Sequence, residues 1–203
     1  MLFFLDLLTL IKRIGLMKDI IEIIKNRHSV RDFLPDALPQ EVLDDMIEAA
    51  RLAPSAQNRQ PWRYVIITEP DKIKELVKNT GLIGLANYFI KDAPCLVIAC
   101  ADEKKNLKLN QKDYYLVDVA ISFHQMILAA WAHGVGSCWL AAFNEEKLAR
   151  YLDLPKSYRI VAMSPFGYPK ADKTLYSKAL NVFSGSDRRL KREDIIRVVS
   201  SEL

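Results

Sequence analysis

The stretch RHSVRDF, residues 27 to 33, carries Arg27, Ser29 and Arg31 at alternate positions, and alternate residues of an extended chain project to the same side. Two guanidiniums and a hydroxyl on one side can surround a phosphate, because the arginine fork matches its oxygens and serine adds a neutral donor. A second reading is open for this segment alone: a solvated helix C-terminus, where Arg27 and His28 would favour the macrodipole. The other polar cluster is APSAQNRQPWRY, residues 53 to 64. Its Ser55, Gln57, Asn58 and Gln60 both donate and accept hydrogen bonds, which suits a planar polar heterocycle. A loop of turn formers ahead of a strand would have the same composition.

Other chemistries find no support. There is no GxxxxGK[ST] phosphate loop, GVGS (134 to 137) has only two glycines of a dinucleotide fingerprint, and no serine sits in a GxSxG elbow. His28, His124 and His133 lack zinc-site spacing, and the last two read as core or interface histidines. Cys95, Cys100 and Cys138 lie in apolar surroundings without CxxC spacing, which fits a reducing cytoplasm and no metal. The net charge of +4 is spread along 203 residues without a basic block interleaved with aromatics, so nucleic acid is not expected as a partner.

The elements that must position these clusters follow from periodicity. Residues 17 to 26 and 39 to 53 read as surface helices with one apolar stripe, and 71 to 79, 144 to 152 (N-capped by Asn144) and 191 to 199 as further helices. RYVIIT (63 to 68), CLVIACA (95 to 101), SCWLAAF (137 to 143) and RIVAMSPFG (159 to 167) read as strands, and FSGSDRR (183 to 189) as an exposed turn. Residues 113 to 136 form a long helix that is apolar on every face. Such a helix is buried, and a subunit interface is the natural second wall. Asp118, His124, Gln125 and His133 argue against a membrane span there.

The apolar start MLFFLDLLTLI has its positive charges after the run and no cleavage site, and it is too short to span a bilayer. We expect residues 1–16 to be an extension, either packed on the protein or lying upstream of a natural start at Met17, with a slight preference for the second. Residues 17–203 are expected to form a single domain.

The sequence resembles the flavin-dependent nitroreductases over residues 17 to 199. RHSVRDF stands for the family's RxSxRxF, APSAQNRQPWRYVII for APSxxNxQPW, GVGSCWLAAF for GxGxxWxxxF, and PFGYP (165 to 169) for a hydrophobic-GYP ending. The resemblance implies an α+β fold, a three-layer α/β/α sandwich with a mixed central sheet, in an intertwined homodimer with FMN at the interface. It implies that Arg27, His28, Ser29 and Arg31 bind the FMN phosphate, with Arg189, or Arg188 beside it, closing on it late in the chain. Pro54, Ser55, Ala56, Asn58 and Gln60 would lie along the flavin and ribityl groups. Trp139, Leu140, Ala141 and Ala142 would lie against the ring, with a backbone N–H of Ala141 or Ala142 near N5, and Asn87 is a candidate for the pyrimidine edge. Many relatives have glycine where this chain has Ala141 and Ala142, and the added methyl would restrict what stacks on the flavin. The activity implied is ping-pong hydride transfer from NADH or NADPH to FMN and then to a nitroaromatic, quinone or similar small acceptor, with no catalytic side chain. Reductive dehalogenation, flavin breakdown of the destructase type and flavin binding without turnover are the alternatives.

Overall fold

The strand CLVIACAD shows why the molecule is layered. Every residue of Cys95–Ala101 is buried, so this strand needs cover on both faces. Its alternate residues divide between two cores: Val97, Ala99 and Ala101 face one, and Leu96, Ile98 and Cys100 the other. Each fully buried aliphatic side chain among them contributes about 1.5–3 kcal/mol. The computed structural model describes residues 20–79, 85–185 and 188–199.

The strands are β1 (Trp62–Ile67), β2 (Cys95–Asp102), the small hairpin β3 (Lys108–Leu109) with β4 (Lys112–Asp113), then β5 (Gly136–Ser137) and β6 (Tyr158–Gly167). The main sheet has the order β1-β2-β6-β5 and its ladders are antiparallel. Its mixed character comes from a parallel bridge between Ser29 and Ser137. Opposite Ala99 and Cys100 the register shifts by one residue of β6. Val161 and Ala162 consequently both meet the first core, while Ile160 and Met163 meet the second.

The helices are α1 (Ile20–Asn26), α2 (Gln40–Arg51), α3 (Pro70–Asn79), α4 (Tyr114–Ala132), α5 (Glu145–Tyr151), α6 (Leu175–Ser184) and α7 (Arg192–Ile195). One face of the sheet is covered by α2 and α4 through Met46, Ala50, Val119, Phe123 and Met126. The other is covered by α3, a 3-10 stretch Leu85–Asp92 and α5, through Ile73, Leu76, Phe89, Ile90 and Leu148. This is the expected three-layer α/β/α arrangement. Asn144 caps α5 as its position predicts, its side chain accepting from the Lys147 N–H at 2.9 Å.

The helix α4 ends for a local reason. Gly134 takes φ +77°, the Val135 N–H returns to the Ala130 carbonyl and the Gly134 N–H to Trp131, both at 2.9 Å. This left-handed stop satisfies carbonyls that the helix leaves open. One side of α4, with Asp118, Val119, Ser122, Phe123, Met126 and Ala130, is buried in the protomer. Leu116, Val117 and Ile121 on its other side are exposed.

Three expectations are corrected. SCWLAAF is not a continuous strand: only Ser137 of it pairs within β5, and the chain meets β6 again at a single bridge, Leu140 with Met163. In 191–199 only Arg192–Ile195 is helical, because no side chain caps it and its apolar residues find no core. Phe183 and Ser184 are the last turn of α6, which Gly185 at φ +57° terminates. The start of the first expected helix, and the extension 1–16 with it, lies outside the described residues.

Candidate functional site

RHSVRDF is an extended segment clamped on both sides. On one side Ser29 bridges Ser137, and the Val30 N–H donates to the Ser137 carbonyl at 2.8 Å. On the other, Phe33 bridges Pro169, and the Leu34 N–H donates to the Tyr168 carbonyl at 2.8 Å. Val30 and Phe33 are buried anchors, and Arg27, Ser29 and Arg31 stay half-buried. The glycines of the neighbouring motifs make room for those anchors. A Cβ on Gly136 would come within 2.5 Å of Val30, and one on Gly167 within 3.0 Å of Phe33 and 2.7 Å of Pro94.

Ser29 and Arg31 line one pocket, which Arg27 does not line, and all three bear on the buried Cys138 thiol. Burial pushes that thiol up, while Arg31, a hydrogen bond with Ser29, and Arg27 pull it back. The Cys138 N–H is taken by the Ser164 hydroxyl at 3.1 Å. The pocket is small, about 50 Å³, and is lined by His28, Ser29 and Arg31 and by Lys170, Lys173, Ser177 and Asn181. Arg31 donates to the Asn181 side-chain oxygen. Asp32, the one acid in the lining, is engaged by Thr174, whose hydroxyl donates at 2.9 Å and whose N–H donates at 3.2 Å. His28 lies against Trp131 with ring centroids 4.9 Å apart, its Nδ1 within 3.0 Å of the Asn26 carbonyl. The donors are cationic or neutral, and the set fits a phosphate dianion. Lys170, Lys173 and Ser177 were missed in the sequence because they belong to no motif there.

The second cluster is built differently. Gln57, Asn58 and Gln60 all have φ near +50° (52°, 54° and 49°), a region costly for residues with a Cβ. Hydrogen bonds hold the loop there. The Ser55 hydroxyl accepts from the Gln60 N–H at 3.0 Å, the Gln60 side chain donates to Asn58 Oδ1 at 2.8 Å, and the Ala56 N–H donates to Asp118 Oδ1 at 2.9 Å. Asp118 is only 2% exposed, and its other oxygen has no partner among the described residues. Nothing in the sequence tied Asp118 to this loop, although an acid inside an apolar helix was the visible sign.

The third group is the run after β5. The Leu140 N–H and carbonyl both pair with Met163, at 2.9 and 3.0 Å. Trp139 is 39% exposed, its ring 5.0 Å from Phe123. Ala141 and Ala142 are exposed, and their N–H groups have no acceptor among the described residues. Asn87 is buried and spends its side-chain N–H on the Ala142 carbonyl. It fixes the backbone of this turn, so the pyrimidine-edge role expected of it gives way to a supporting one. Arg188 and Arg189 do not line the pocket: the Arg188 N–H donates to Gly185 and the Arg189 side chain to the Arg188 carbonyl.

The protomer does not bring all these residues together. Ala56 is tied to Asp118 and His28 rests on Trp131, thirteen residues further along α4, which amounts to about 20 Å of helix. Ser29 also lies beyond the β5 edge of the sheet and Trp62 opens β1 at the other edge, about 19 Å away across four strand spacings.

The nitroreductase family model matches residues 24–82 and 82–168. The chain is 27% identical over 164 residues, 79% of its length and 91% of the other's, to an Archaeoglobus fulgidus protein with the provisional name NADH dehydrogenase/NAD(P)H nitroreductase. It is 26% identical over 184 residues to iodotyrosine deiodinase 1 of Sus scrofa, covering 76% of this chain and 62% of that one. Among solved structures it superposes with a TM-score of 0.64 on an FMN-dependent nitroreductase from Clostridium difficile R20291, at 25% identity, covering 78% of this chain and 92% of the other.

Proposed function

The chain belongs to the nitroreductase family of oxidoreductases, and on that premise we propose that it is an FMN-dependent NAD(P)H oxidoreductase working as a homodimer. The observation that carries the reading is the clamped segment whose Ser29 and Arg31 line, with Lys170 and Lys173, a pocket suited to a phosphate. When bound, FMN supplies two-electron chemistry, accepting hydride from a reduced nicotinamide and returning it to a small acceptor in a ping-pong cycle.

The chain's part is to bind, orient and stabilise. Arg27, Ser29 and Arg31 hold the phosphate, and the clamped backbone keeps them in place before it arrives. The free N–H groups of Ala141 and Ala142 offer neutral donors to the edge of the ring, where developing negative charge is best met by fixed dipoles. Leu140 and Trp139 supply the apolar surface beside them. The loop of Ser55, Asn58 and Gln60 is too far along α4 to serve the same site, so it serves the site of a second copy. The exposed Leu116, Val117 and Ile121 give that copy an apolar face to cover.

The test is the visible spectrum of purified protein incubated with FMN and desalted, followed by anaerobic NADPH or NADH. Retained flavin bands that bleach with either nucleotide are the expected result, and absence of retained flavin would overturn the reading. Reoxidation by a nitroaromatic or quinone then identifies the acceptor class, and a halogenated phenol assayed in parallel tests chemistry like that of the deiodinase.

A further inference from the structure

We propose that Asn87 is a positioning residue for flavin reduction. By holding the Ala142 carbonyl inward it keeps the N–H groups of the turn facing out, where they favour the reduced cofactor over the oxidised one. The proposal rests on the FMN reading and adds to it a side chain that acts on the cofactor only through the backbone.

The turn after Leu140 holds its carbonyls and leaves its donors. The Leu140 carbonyl accepts from the Met163 N–H at 3.0 Å, the Ala141 carbonyl from the Phe143 N–H at 3.2 Å, and the Ala142 carbonyl from the Asn87 side chain. These peptides are trans, so the N–H of each points away from its own carbonyl. The bonds therefore form a chain of cause. With the Ala142 carbonyl held by Asn87, the Phe143 N–H of the same peptide turns back to the Ala141 carbonyl, and that in turn sends the Ala142 N–H outward. Ala141 and Ala142 are exposed, and their N–H groups meet no acceptor among the described residues.

Two of the three carbonyls are held by backbone, which almost any sequence supplies. The third depends on one side chain 55 positions away, in the 3-10 stretch Leu85–Asp92. Asn87 is 2% exposed and its neighbours Phe89 and Ile90 belong to the second core. An amide buried there is costly unless it is hydrogen-bonded, so its contact with Ala142 is firmly kept. Phe143 packs on the same core, and Asn144 caps α5 directly after it. The turn thus runs between two fixed ends, and Asn87 sets the peptide between them.

A reduced flavin carries negative charge that the oxidised ring lacks. Fixed N–H dipoles facing that charge stabilise it, and a carbonyl turned toward it would repel it. Asn87 consequently bears on the reduction potential of bound FMN more than on the binding of oxidised FMN.

The experiment measures the two-electron potential of protein-bound FMN by equilibration with a reference dye, beside the affinity for oxidised FMN and the thermal midpoint. Asn87→Ala is expected to lower the equilibrium constant for reduction about ten-fold, as loss of one hydrogen bond to a charged group would, which makes the potential about 30 mV more negative. Affinity for oxidised FMN should change far less. Asn87→Leu keeps a similar side-chain volume and deletes the donor, and it is expected to give the same shift. A potential equal to wild type in both variants, whatever happens to the thermal midpoint, would reduce Asn87 to a structural role and overturn the proposal while leaving the FMN reading intact. A shift in Asn87→Ala that is absent from Asn87→Leu would overturn it too, since packing would then be the cause. Loss of all FMN from both folded variants would do the same, because Asn87 would then serve binding. Wild type that retains no FMN would overturn the FMN reading and the proposal with it.

Discussion

The two polar clusters differ in composition and are opposite in construction. RHSVRDF is held by backbone bonds to Ser137 and Tyr168 on its two edges, and its Ser29 and Arg31 side chains line a pocket. The loop at 54–60 is held by its own side chains and by Asp118, and it stores backbone strain at Gln57, Asn58 and Gln60. The first is an anchor finished within one protomer. The second is a strained surface loop, and strain of this kind persists only where surrounding contacts over-determine it.

The contrast can be broken in order of expected effect. Arg31→Ala removes the fork from the finished site, and FMN affinity should fall about 100-fold, read by fluorescence titration. Retained yellow protein after desalting would count heavily against the anchor. Mixing Arg31→Ala with Asn58→Ala protomers sharpens the comparison, since a site shared between copies regains about one intact flavin site per mixed dimer. If the mixture binds no more flavin than the two parents, each site is built from a single chain. Asp118→Ala leaves the Ala56 N–H without its acceptor, so urea unfolding should show a loss of about 1–3 kcal/mol. Asp118→Asn, which keeps an acceptor oxygen, should recover part of it.

The smallest effect expected is one of pH. Burial, then Arg27, holds His124 below its ordinary value of 6.5, so the unfolded chain takes up this proton first as pH falls. Stability contributed by the neutral ring is complete above 6.5 and is lost as pH drops from there towards the lower folded value. His124→Asn should flatten that part of the stability profile, and an unchanged slope would assign the dependence to other groups.

Local chemistry was legible where it repeats at the period of the backbone. The alternation of Arg27, Ser29 and Arg31 could be read because the apolar Val30 between Ser29 and Arg31 turns to the opposite, buried side. The strand at 95–101 could be read because burial on both sides demands an unbroken apolar run. α6 was missed because Leu175, Val182 and Phe183 point outward while its inner face carries Ser177 and Asn181, with Leu180 packing on the core. The usual sign of a packed helix is inverted there. SCWLAAF misled for another reason: an apolar run looks the same whether it stays in the ladder or leaves it after one paired residue, as this one does.

The sequence by itself determined the alternation of helix and strand, the two sets of donors and the helix too apolar to be a surface element, because each is set by neighbours a few positions apart. Only the tertiary structure decided which of these donors meet. The distance along α4 separates the loop from the anchor, and the return of the chain after β6 brings Lys173 to Arg31. Such proximities depend on where long elements end and turn, and residue spacing carries no record of that.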